Sequence, residues 1–467
     1  MTPDQTPLTP GALDGVRVID LSTVVMGPYA TQLLGDLGAD VIKVEPPAGD
    51  VSRRTQPQPG EGMGPLSLNV NRNKRNVRLN AKDPDGRQAI LDLIATADVL
   101  VTNMRPAALR RLGFDHESLA ETNPKLIHCT AQGFRSDSAR ADHAAYDEIV
   151  QSAGGMTDLM RRATGAPTYA PTILADKVCA LTIVYSVLAA LLHQRATGRG
   201  QHIEVPMTDV LLSFNLVEHL AGQTFQPALG PAGFPRSLSA GHSAYETADG
   251  WACILPYTPK NIHDFFAALG EDDLADDERF STNAALARHY ADLYALIRER
   301  APQRTTAAWE ELCVARSIPF AAVADLDTVM DDDYVTSGGL VPVVEDESLG
   351  AFRSPLPGMI FSDTPVTIRR TPAALGADTA DVLRDLGYDD ARIAALTREA
   401  EDSTAGRTPI TTAATAREHG DSAPKNGTPD DDTTSDGTAS TAATSDGTTS
   451  DAAATGTTGL AATGTSR

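Results

Sequence analysis

Residues Ala170–Asp209, APTILADKVCALTIVYSVLAALLHQRATGRGQHIEVPMTD, contain the apolar run around which the rest of the chain is organised. From Val178 to Leu192 nearly every side chain is apolar or small, so a helix here would be apolar on almost every side. We therefore predict a helix buried inside the protein. A membrane span needs about 20 apolar residues, and this run ends sooner, at His193, so we predict no membrane segment.

Asp176 lies at the start of this helix, beside Lys177. An acid in the first helical turn is ordinarily explained by capping of backbone N–H groups and by the helix dipole. The same features favour an ionised carboxylate, and an ionised, partly desolvated carboxylate can act as a nucleophile. The two interpretations are compatible. Gly198 and Gly200 predict the end of the helix, and residues 201–205 alternate like a strand.

The N-terminal half alternates short apolar runs with helical segments. Strands are predicted at residues 16–21, 39–44, 76–79, 98–103 and 126–131, with helices between them. This alternation predicts a parallel sheet with helices on both faces, a doubly wound α/β domain. Ligands of such sheets bind beyond the carboxyl ends of the strands, so the loops that follow these strands are candidate sites.

Two groups of basic residues lie near those loops. One is Asn71–Arg75, and the other comprises Arg105, Arg110 and Arg111. Arginine and lysine are usually solvated surface residues, but in a chain with a net charge of -23 such grouping favours a phosphate-rich ligand. The first loop, STVVMGP, is not GxGxxG, which disfavours a standard dinucleotide site.

The second half changes in character. Residues 225–243 are rich in Pro, Gly and Ser and predict a linker, after which residues 240–330 predict a smaller α+β domain. Residues 340–368 are predicted to be rich in β-structure, and helices are predicted at 378–386 and 389–400. Residues 399–467 have few large apolar side chains, so we predict a disordered low-complexity tail.

Charge and cysteine usage limit the partners and the compartment. A net charge of -23 over 467 residues argues against nucleic acid or an anionic membrane as the main partner. The four cysteines show no CxxC or Cys/His spacing, so neither a metal site nor a disulfide framework is predicted. The N-terminal segment has no basic region followed by an apolar run, and we therefore expect a cytoplasmic protein with reduced thiols.

Several separated motifs resemble those of the class III CoA-transferase family, which includes carnitine-pathway CoA-transferases and α-methylacyl-CoA racemase. They are LDGVRVIDLSTVVMGPYATQLLGDLGADVIKVEPP, NVNRNKRNVRLNAKDPDGRQ, VTNMRPAALRRLGF, YDEIVQSAGG, ILADKV and RATGRGQHIEVPM. The resemblance covers residues 12–390. It implies a Rossmann-like large domain formed by residues 12–225 and 335–398, the small domain between them, and a homodimer of two interlocked chains.

Site residues follow from the same resemblance. The family's nucleophilic aspartate corresponds to Asp176. The positions implied for CoA contact are Val24, Val25, Met26, Lys74, Asn103, Met104, Arg111, Leu112, Tyr146 and Asp147. Where some members carry an arginine this chain has Pro46, so a phosphate contact is expected to shift to Arg53 or Arg54. Where the racemase branch has a catalytic histidine this chain has Tyr146, with His143 three residues earlier.

The leading prediction is a CoA-transferase that moves CoA from an acyl-CoA donor to a free carboxylic acid through an Asp176 anhydride and an Asp176–CoA thioester. Coenzyme A and acyl-CoA are substrates, and no permanently bound cofactor or metal is expected. Backbone N–H groups near Gly154-Gly155 are expected to stabilise oxyanions. The alternatives are an acyl-CoA racemase that uses Asp176 and His143 as acid and base, and a catalytically silent CoA-binding protein.

Overall fold

The computed structural model describes residues 10–404, except 59 and 61. Its main sheet consists of the strands β1 (Arg17–Leu21), β2 (Asp40–Glu45), β3 (Lys74–Arg78), β4 (Val99–Thr102), β5 (Ile127–Gln132) and β6 (Gln201–Pro206). Neighbouring strands are parallel, and their order across the sheet is β3-β2-β1-β4-β5-β6. The α/β class with a parallel sheet is thus confirmed. The strand order reverses between β1 and β4, which is where such sheets bind ligands.

Helices cover both faces of this sheet. The helices in this part of the chain are α1 (Met26–Asp36), α2 (Pro65–Val70), α3 (Pro84–Ala95), α4 (Pro106–Leu112), α5 (His116–Thr122), α6 (Asp147–Ala153), α7 (Met156–Thr164), α8 (Leu174–Thr197) and α9 (Met207–His219). Val18 of β1 packs in a core with Leu34 of α1 and Ile183 of α8. Its neighbour Ile19 packs in the core on the opposite face with Leu93 of α3. Successive strand residues point to opposite faces, so both faces of the sheet are apolar.

A second sheet lies further along the chain. Its antiparallel strands are β7 (Tyr245–Glu246), β8 (Trp251–Ile254) and β9 (Phe320–Ala322), and its helices are α10 (Pro259–Ala268), α11 (Asp272–Ala275), α12 (Asn283–Arg300) and α13 (Thr306–Ala315). These elements enclose a core of their own that includes Phe265, Phe266 and Trp309. Strands β7 and β8 form a hairpin that turns at Asp249-Gly250.

The last described part of the chain returns to the large sheet. It contains the helix α14 (Asp333–Ser337), the hairpin of β10 (Val343–Asp346) and β11 (Gly350–Arg353), and the helices α15 (Thr379–Asp385) and α16 (Asp390–Asp402). Val382 and Leu396 are buried in the same core as Ile19, so both ends of the described chain build the large unit.

Two sequence-based expectations for this region need correction. Among the described residues of 340–368, strand structure is confined to β10 and β11, so the region is less β-rich than predicted. Helix α16 continues to Asp402 with Ala400 buried, so the tail does not begin at residue 399. Asn80 donates a hydrogen bond to Glu399 at 2.7 Å, which fixes this helix to the loop after β3. The tail predicted beyond it, residues 405–467, lies outside the described residues.

Helix α8 is less buried than predicted. Ile183 and Val187 are fully buried, whereas Tyr185 is 62% and Leu192 is 73% exposed. The helix has the length and hydropathy of a membrane span, but 44% of its most apolar window is buried in the protein, and core helices pass the same test. Because these side chains are exposed, the prediction that the helix is buried inside the protein was wrong for part of its surface. Composition shows that a helix surface is apolar, but it does not show what covers that surface.

Candidate active site

Two adjoining cavities lie at the carboxyl ends of the strands. The larger, of about 790 Å³, is lined by residues that follow β1 to β4, including Pro46, Lys82 and Arg111. The smaller, of about 270 Å³, contains Asp176. Both are lined by Thr23, Asn103 and Arg105, so the three residues form the boundary between them. An elongated ligand that occupied the larger cavity would therefore extend towards Asp176.

Asn103 fixes the boundary between the cavities. Its side-chain oxygen accepts a hydrogen bond from the Thr23 N–H at 3.1 Å, and its side-chain nitrogen donates to the Thr23 carbonyl at 2.9 Å. This reciprocal pair joins the loop after β1 to the loop after β4 at the point where the strand order reverses. Together with Met104, Arg111 and Leu112, Asn103 lines the larger cavity, so the structure brings these four candidates together.

The structure places Lys74 away from both cavities. Its ammonium group is buried and donates to Asp20 at 3.0 Å, to the Pro28 carbonyl at 2.7 Å and to Asn71 at 2.9 Å. Burial lowers the pKa of Lys74 to about 8, partly offset by Asp20. We therefore correct its assignment: these contacts give Lys74 a structural role, and it leaves the set of candidate CoA ligands.

The rest of the predicted basic segment is structural as well. Arg72 is buried and forms an ion pair with Asp36 at 2.6 Å, and Arg75 pairs with Asp40 at 2.7 Å. Those acids come from α1 and β2, and their pairing with this segment was not predicted from the sequence. Lys82, in the loop after β3, lines the larger cavity instead. The rule that ligands bind beyond strand ends, applied to the strand predicted at 76–79, would have identified it.

Neither Arg53 nor Arg54, to which a phosphate contact was expected to shift because residue 46 is proline, lines the larger cavity. Arg53 is buried, pairs with Glu45 at 2.7 Å and also donates to the Ala373 carbonyl. Arg54 is exposed and donates to the Ala48 carbonyl at 3.1 Å. Because neither lines the larger cavity, the cationic side chains described along its wall are Lys82, Arg105 and Arg111.

The loop after β1 contributes to the smaller cavity rather than the larger one. Val24 and Met26 line it together with Asp176 and Tyr146. Val25 is buried and lines neither cavity. The contact of Val24, Val25 and Met26 with CoA that the family resemblance implies stays a prediction, and the structure shows only that Val24 and Met26 line the cavity that contains Asp176.

Asp176 is the third residue of α8, and Asp147 caps that helix. The Asp147 carboxylate accepts hydrogen bonds from the backbone N–H groups of Ala175 at 2.7 Å and Asp176 at 3.2 Å. A neighbouring helix therefore supplies the cap that the sequence suggested for Asp176 itself. Within residues 10–404 no group donates a hydrogen bond to the Asp176 carboxylate, which faces the cavity. Asp147 positions Asp176 and does not line the cavity.

The Asp176 carboxyl group has a strongly perturbed pKa. Burial, together with the negative charges of Asp147 and Glu148, raises the pKa of Asp176 to about 7. These effects outweigh the helix N-terminus, which was expected to favour the ionised carboxylate. A carboxylate that is poorly solvated and lacks hydrogen-bond donors is a stronger nucleophile and base than one in water.

A comparison of the sequence with known protein families shows which family has this sequence pattern. The profile of CoA-transferase family III matches residues 13–379, which is most of the chain. The chain belongs to CoA-transferase family III. The family resemblance seen in the sequence is confirmed, and the family together with the relatives named below supports an enzyme with CoA-transferase activity.

Individual relatives of family III are similar over nearly their full lengths. A succinate–glutarate CoA-transferase of Agrobacterium fabrum is 32% identical over 399 residues, covering 80% of this chain and 95% of the relative. A formyl-CoA:oxalate CoA-transferase of Escherichia coli O157:H7 is 32% identical over 411 residues, covering 82% and 98%. The crystal structure of a CAIB/BAIF family protein from Brucella suis superposes with a TM-score of 0.70 at 28% identity, covering 81% of this chain and 100% of that one.

Further residues of this family III site surround Asp176. Tyr146 is 67% exposed and lines the smaller cavity with His143. The Gly154 N–H donates to the Val150 carbonyl at 2.7 Å inside α6, so it is already paired and does not serve the oxyanion role expected of it. Gly155 has a φ of +87° at the start of α7, a conformation that favours glycine.

Proposed function

We propose that this protein transfers CoA from an acyl-CoA to a free carboxylic acid with Asp176 as the covalent nucleophile. The observation that carries this proposal is the shared boundary of Thr23, Asn103 and Arg105 between the larger cavity, which has cationic side chains in its wall, and the cavity that contains Asp176. A molecule with phosphates at one end and a thioester at the other matches this arrangement. The named activities of the relatives support the same reaction class.

The proposed chemistry proceeds through two anhydrides and one thioester. An oxygen of Asp176 attacks the donor thioester carbonyl, and the CoA thiolate leaves, which gives an acyl–Asp176 anhydride. The thiolate then attacks the Asp176 carbonyl carbon, releases the donor acid as a carboxylate and leaves an Asp176–CoA thioester. The acceptor carboxylate attacks the carbonyl of that thioester and expels the CoA thiolate, which gives a second anhydride. Finally the thiolate attacks the acceptor's carbonyl, which yields the new acyl-CoA and free Asp176.

In this proposal Lys82 and Arg111 bind the phosphates of CoA. Both line the larger cavity beyond the ends of β3 and β4, where a charge-assisted contact with phosphate costs no burial of an unpaired cation. Met104 and Leu112 add apolar wall beside them. Since the phosphates are distant from the reacting carbonyl, these contacts bind ground state and transition state alike.

We expect the substitutions Arg111→Ala and Lys82→Ala to raise the KM for acyl-CoA by about tenfold each, with a smaller change in kcat. The matched control is Arg110→Ala, because Arg110 is an exposed neighbour on α4 that does not line the cavity. Steady-state kinetics with varied acyl-CoA would measure all three. A fall in kcat at unchanged KM for Arg111→Ala, or an equal effect of Arg110→Ala, would contradict the assignment.

A racemase remains the rival reaction because His143 lines the same cavity as Asp176. Two side chains on opposite sides of an acyl α-carbon would suffice for removal and return of its proton. Incubation with an acyl-CoA and a second acid tests for CoA exchange, and a single chiral acyl-CoA in deuterated water tests for deuterium at the α-carbon. Exchange without deuterium supports transfer, and deuterium without exchange supports racemisation. Binding of CoA with neither supports a silent binding protein.

We also propose that the active protein is a homodimer with a Rossmann-like large domain, as the family resemblance implies. The strand order β3-β2-β1-β4-β5-β6 supports the Rossmann-like large domain. An apolar groove between α8 and α9 supports the homodimer, since such faces are typically covered by a partner. The groove is lined by Leu181, Tyr185, Phe214 and Val217. A cytoplasmic location stays a prediction from the sequence.

The dimer can be tested on this face. Val217 is 82% exposed in the single chain, and we expect Val217→Asp to shift the protein from twice the chain mass to the monomer mass in light scattering. Leu326→Asp is the matched control, because Leu326 is 83% exposed but does not line the groove. A monomeric wild type, or a Val217→Asp variant as dimeric as the control, would contradict the proposal.

A further inference from the structure

The loop after β1 contains a β-branched residue in the left-handed backbone region. Val24 has a φ of +72°, and it is the β-branched member of the few non-glycine residues with positive φ in the described chain. A branched side chain in this region clashes with its own backbone, so the conformation persists only where the surroundings impose it. Val24 also lines the cavity that contains Asp176.

Asp50 supplies the restraint on Val24. Both of its carboxylate oxygens lie within hydrogen-bonding distance of the Val24 N–H, at 3.2 and 3.1 Å. Asp50 comes from the loop after β2, its side chain is fully buried, and its position is fixed by a hydrogen bond from its own N–H to Glu45 at 2.7 Å. The turn at Val24 is thereby attached to a different strand end of the same sheet.

Lys43 fixes Asp50 and the loop together. Its ammonium group lies 3.2 Å from the Asp50 carboxylate and donates to the Ser22 carbonyl at 2.8 Å. Ser22 is in turn bound to Asp20 through its backbone N–H at 3.0 Å. A Cβ on Gly27 would lie 2.2 Å from that of Ser22, so the loop is closely packed against the start of α1. Lys43 and Asp50 are buried and line neither cavity.

We propose that Asp50, fixed by Lys43, is a positioning residue that keeps the Val24 turn in its left-handed conformation and so maintains the cavity wall that aligns the acyl-CoA thioester with Asp176. This inference rests on the proposed transferase function. Val24 shapes the cavity wall through the path of its backbone, and Asp50 acts only through that backbone.

Glycine at residue 24 provides the test, because glycine adopts positive φ without a restraint. We expect Asp50→Asn to raise the KM for acyl-CoA about tenfold, since the neutral amide holds the Val24 N–H and Lys43 more weakly. The double variant Asp50→Asn with Val24→Gly should recover KM to within about threefold of wild type. Asp50→Asn with Val24→Ala is the matched control and should recover nothing, because alanine keeps the steric penalty that glycine lacks.

The melting temperature separates positioning from a general loss of structure. Asp50→Asn leaves Lys43 with a weaker partner in the interior, so its melting temperature should stay low in the glycine double variant even as KM recovers. Recovery by alanine equal to that by glycine, or no recovery by glycine, would overturn the proposal. If Asp50→Asn fails to fold, the single variants Val24→Gly and Val24→Ala still test the proposal. The Val24→Gly variant should have the higher melting temperature of the two, and the reverse order would refute the restraint on Val24.

A direct binding measurement keeps this inference distinguishable from the proposed function. The dissociation constant of CoA, measured by calorimetry on the same variants, should follow the same order as KM. A wild-type protein that binds CoA but exchanges none would refute the transferase reaction, while the order of dissociation constants would still test the role of Asp50.

Discussion

Replacement of Asp176 by asparagine should lower CoA exchange by at least about 10⁴-fold, because an amide cannot form the anhydride on which the proposed reaction depends. Folding should be retained, since Asp147 rather than Asp176 supplies the side-chain cap of α8. The measurement is exchange between an acyl-CoA and a labelled acid, with circular dichroism as the check on folding. A variant that retains a tenth of wild-type exchange would exclude a covalent role for Asp176.

The same substitution should make the protein more stable at alkaline pH. The pKa of Asp176 in the folded state is raised to about 7, so the folded state favours the protonated carboxyl, and this contribution is lost as pH rises through that value. Asparagine never ionises. We expect the variant to exceed wild type in free energy of unfolding by about 1–2 kcal/mol near pH 8, allowing for partial exposure, and the difference to vanish below about pH 4.

Replacement of Asp147 should have the second largest effect. Asp147→Ala removes the acceptor for the Ala175 and Asp176 N–H groups, which we expect to cost about 1–2 kcal/mol of stability and, through displacement of Asp176, about 10²-fold in exchange. Asp147→Asn is the informative partner variant. Its amide oxygen can still accept these hydrogen bonds, so stability and much of the activity should remain.

The asparagine variant also tests the electrostatics of the site. The charge of Asp147 is one of the causes of the raised pKa of Asp176, so its removal should shift the acidic limb of the kcat/KM profile from about pH 7 to lower pH. Wild type should lose kcat/KM as pH falls through about 7, because the nucleophile becomes protonated. An unshifted profile in Asp147→Asn would show that the limb belongs to another group.

Much of the fold could be predicted from sequence because its signals are local. The apolar runs that form β1, β2, β4 and β5 were predicted to within a residue or two, as buried parallel strands are apolar on both faces. The position of Asp176 at the start of a long helix was likewise readable. The last helix, predicted at 389–400, was also found to within two residues, whereas the start of the tail at residue 399 was placed too early because the contact of Glu399 with Asn80 is distant in sequence.

The site was less predictable because its contacts are long-range. Lys74 and Arg72 look like phosphate ligands until Asp20 and Asp36, more than thirty residues away, are found to neutralise them. The capping of α8 by Asp147 spans 28 residues, and nothing near either residue indicates it. Asp50 gives no signal either, since the left-handed conformation of Val24 is a property of the folded loop.

The most direct test of the central claim is chemical trapping of the enzyme-bound intermediate. Wild-type protein would be mixed with acyl-CoA alone, quenched with hydroxylamine or borohydride and digested, and its peptides compared by mass spectrometry with those of Asp176→Asn. A covalent nucleophile predicts a modification that maps to Asp176 in wild type and is missing from the variant. An unmodified Asp176 peptide from protein that is turning over, accompanied by exchange of the substrate's α-proton, would contradict the account and identify Asp176 as an acid or base.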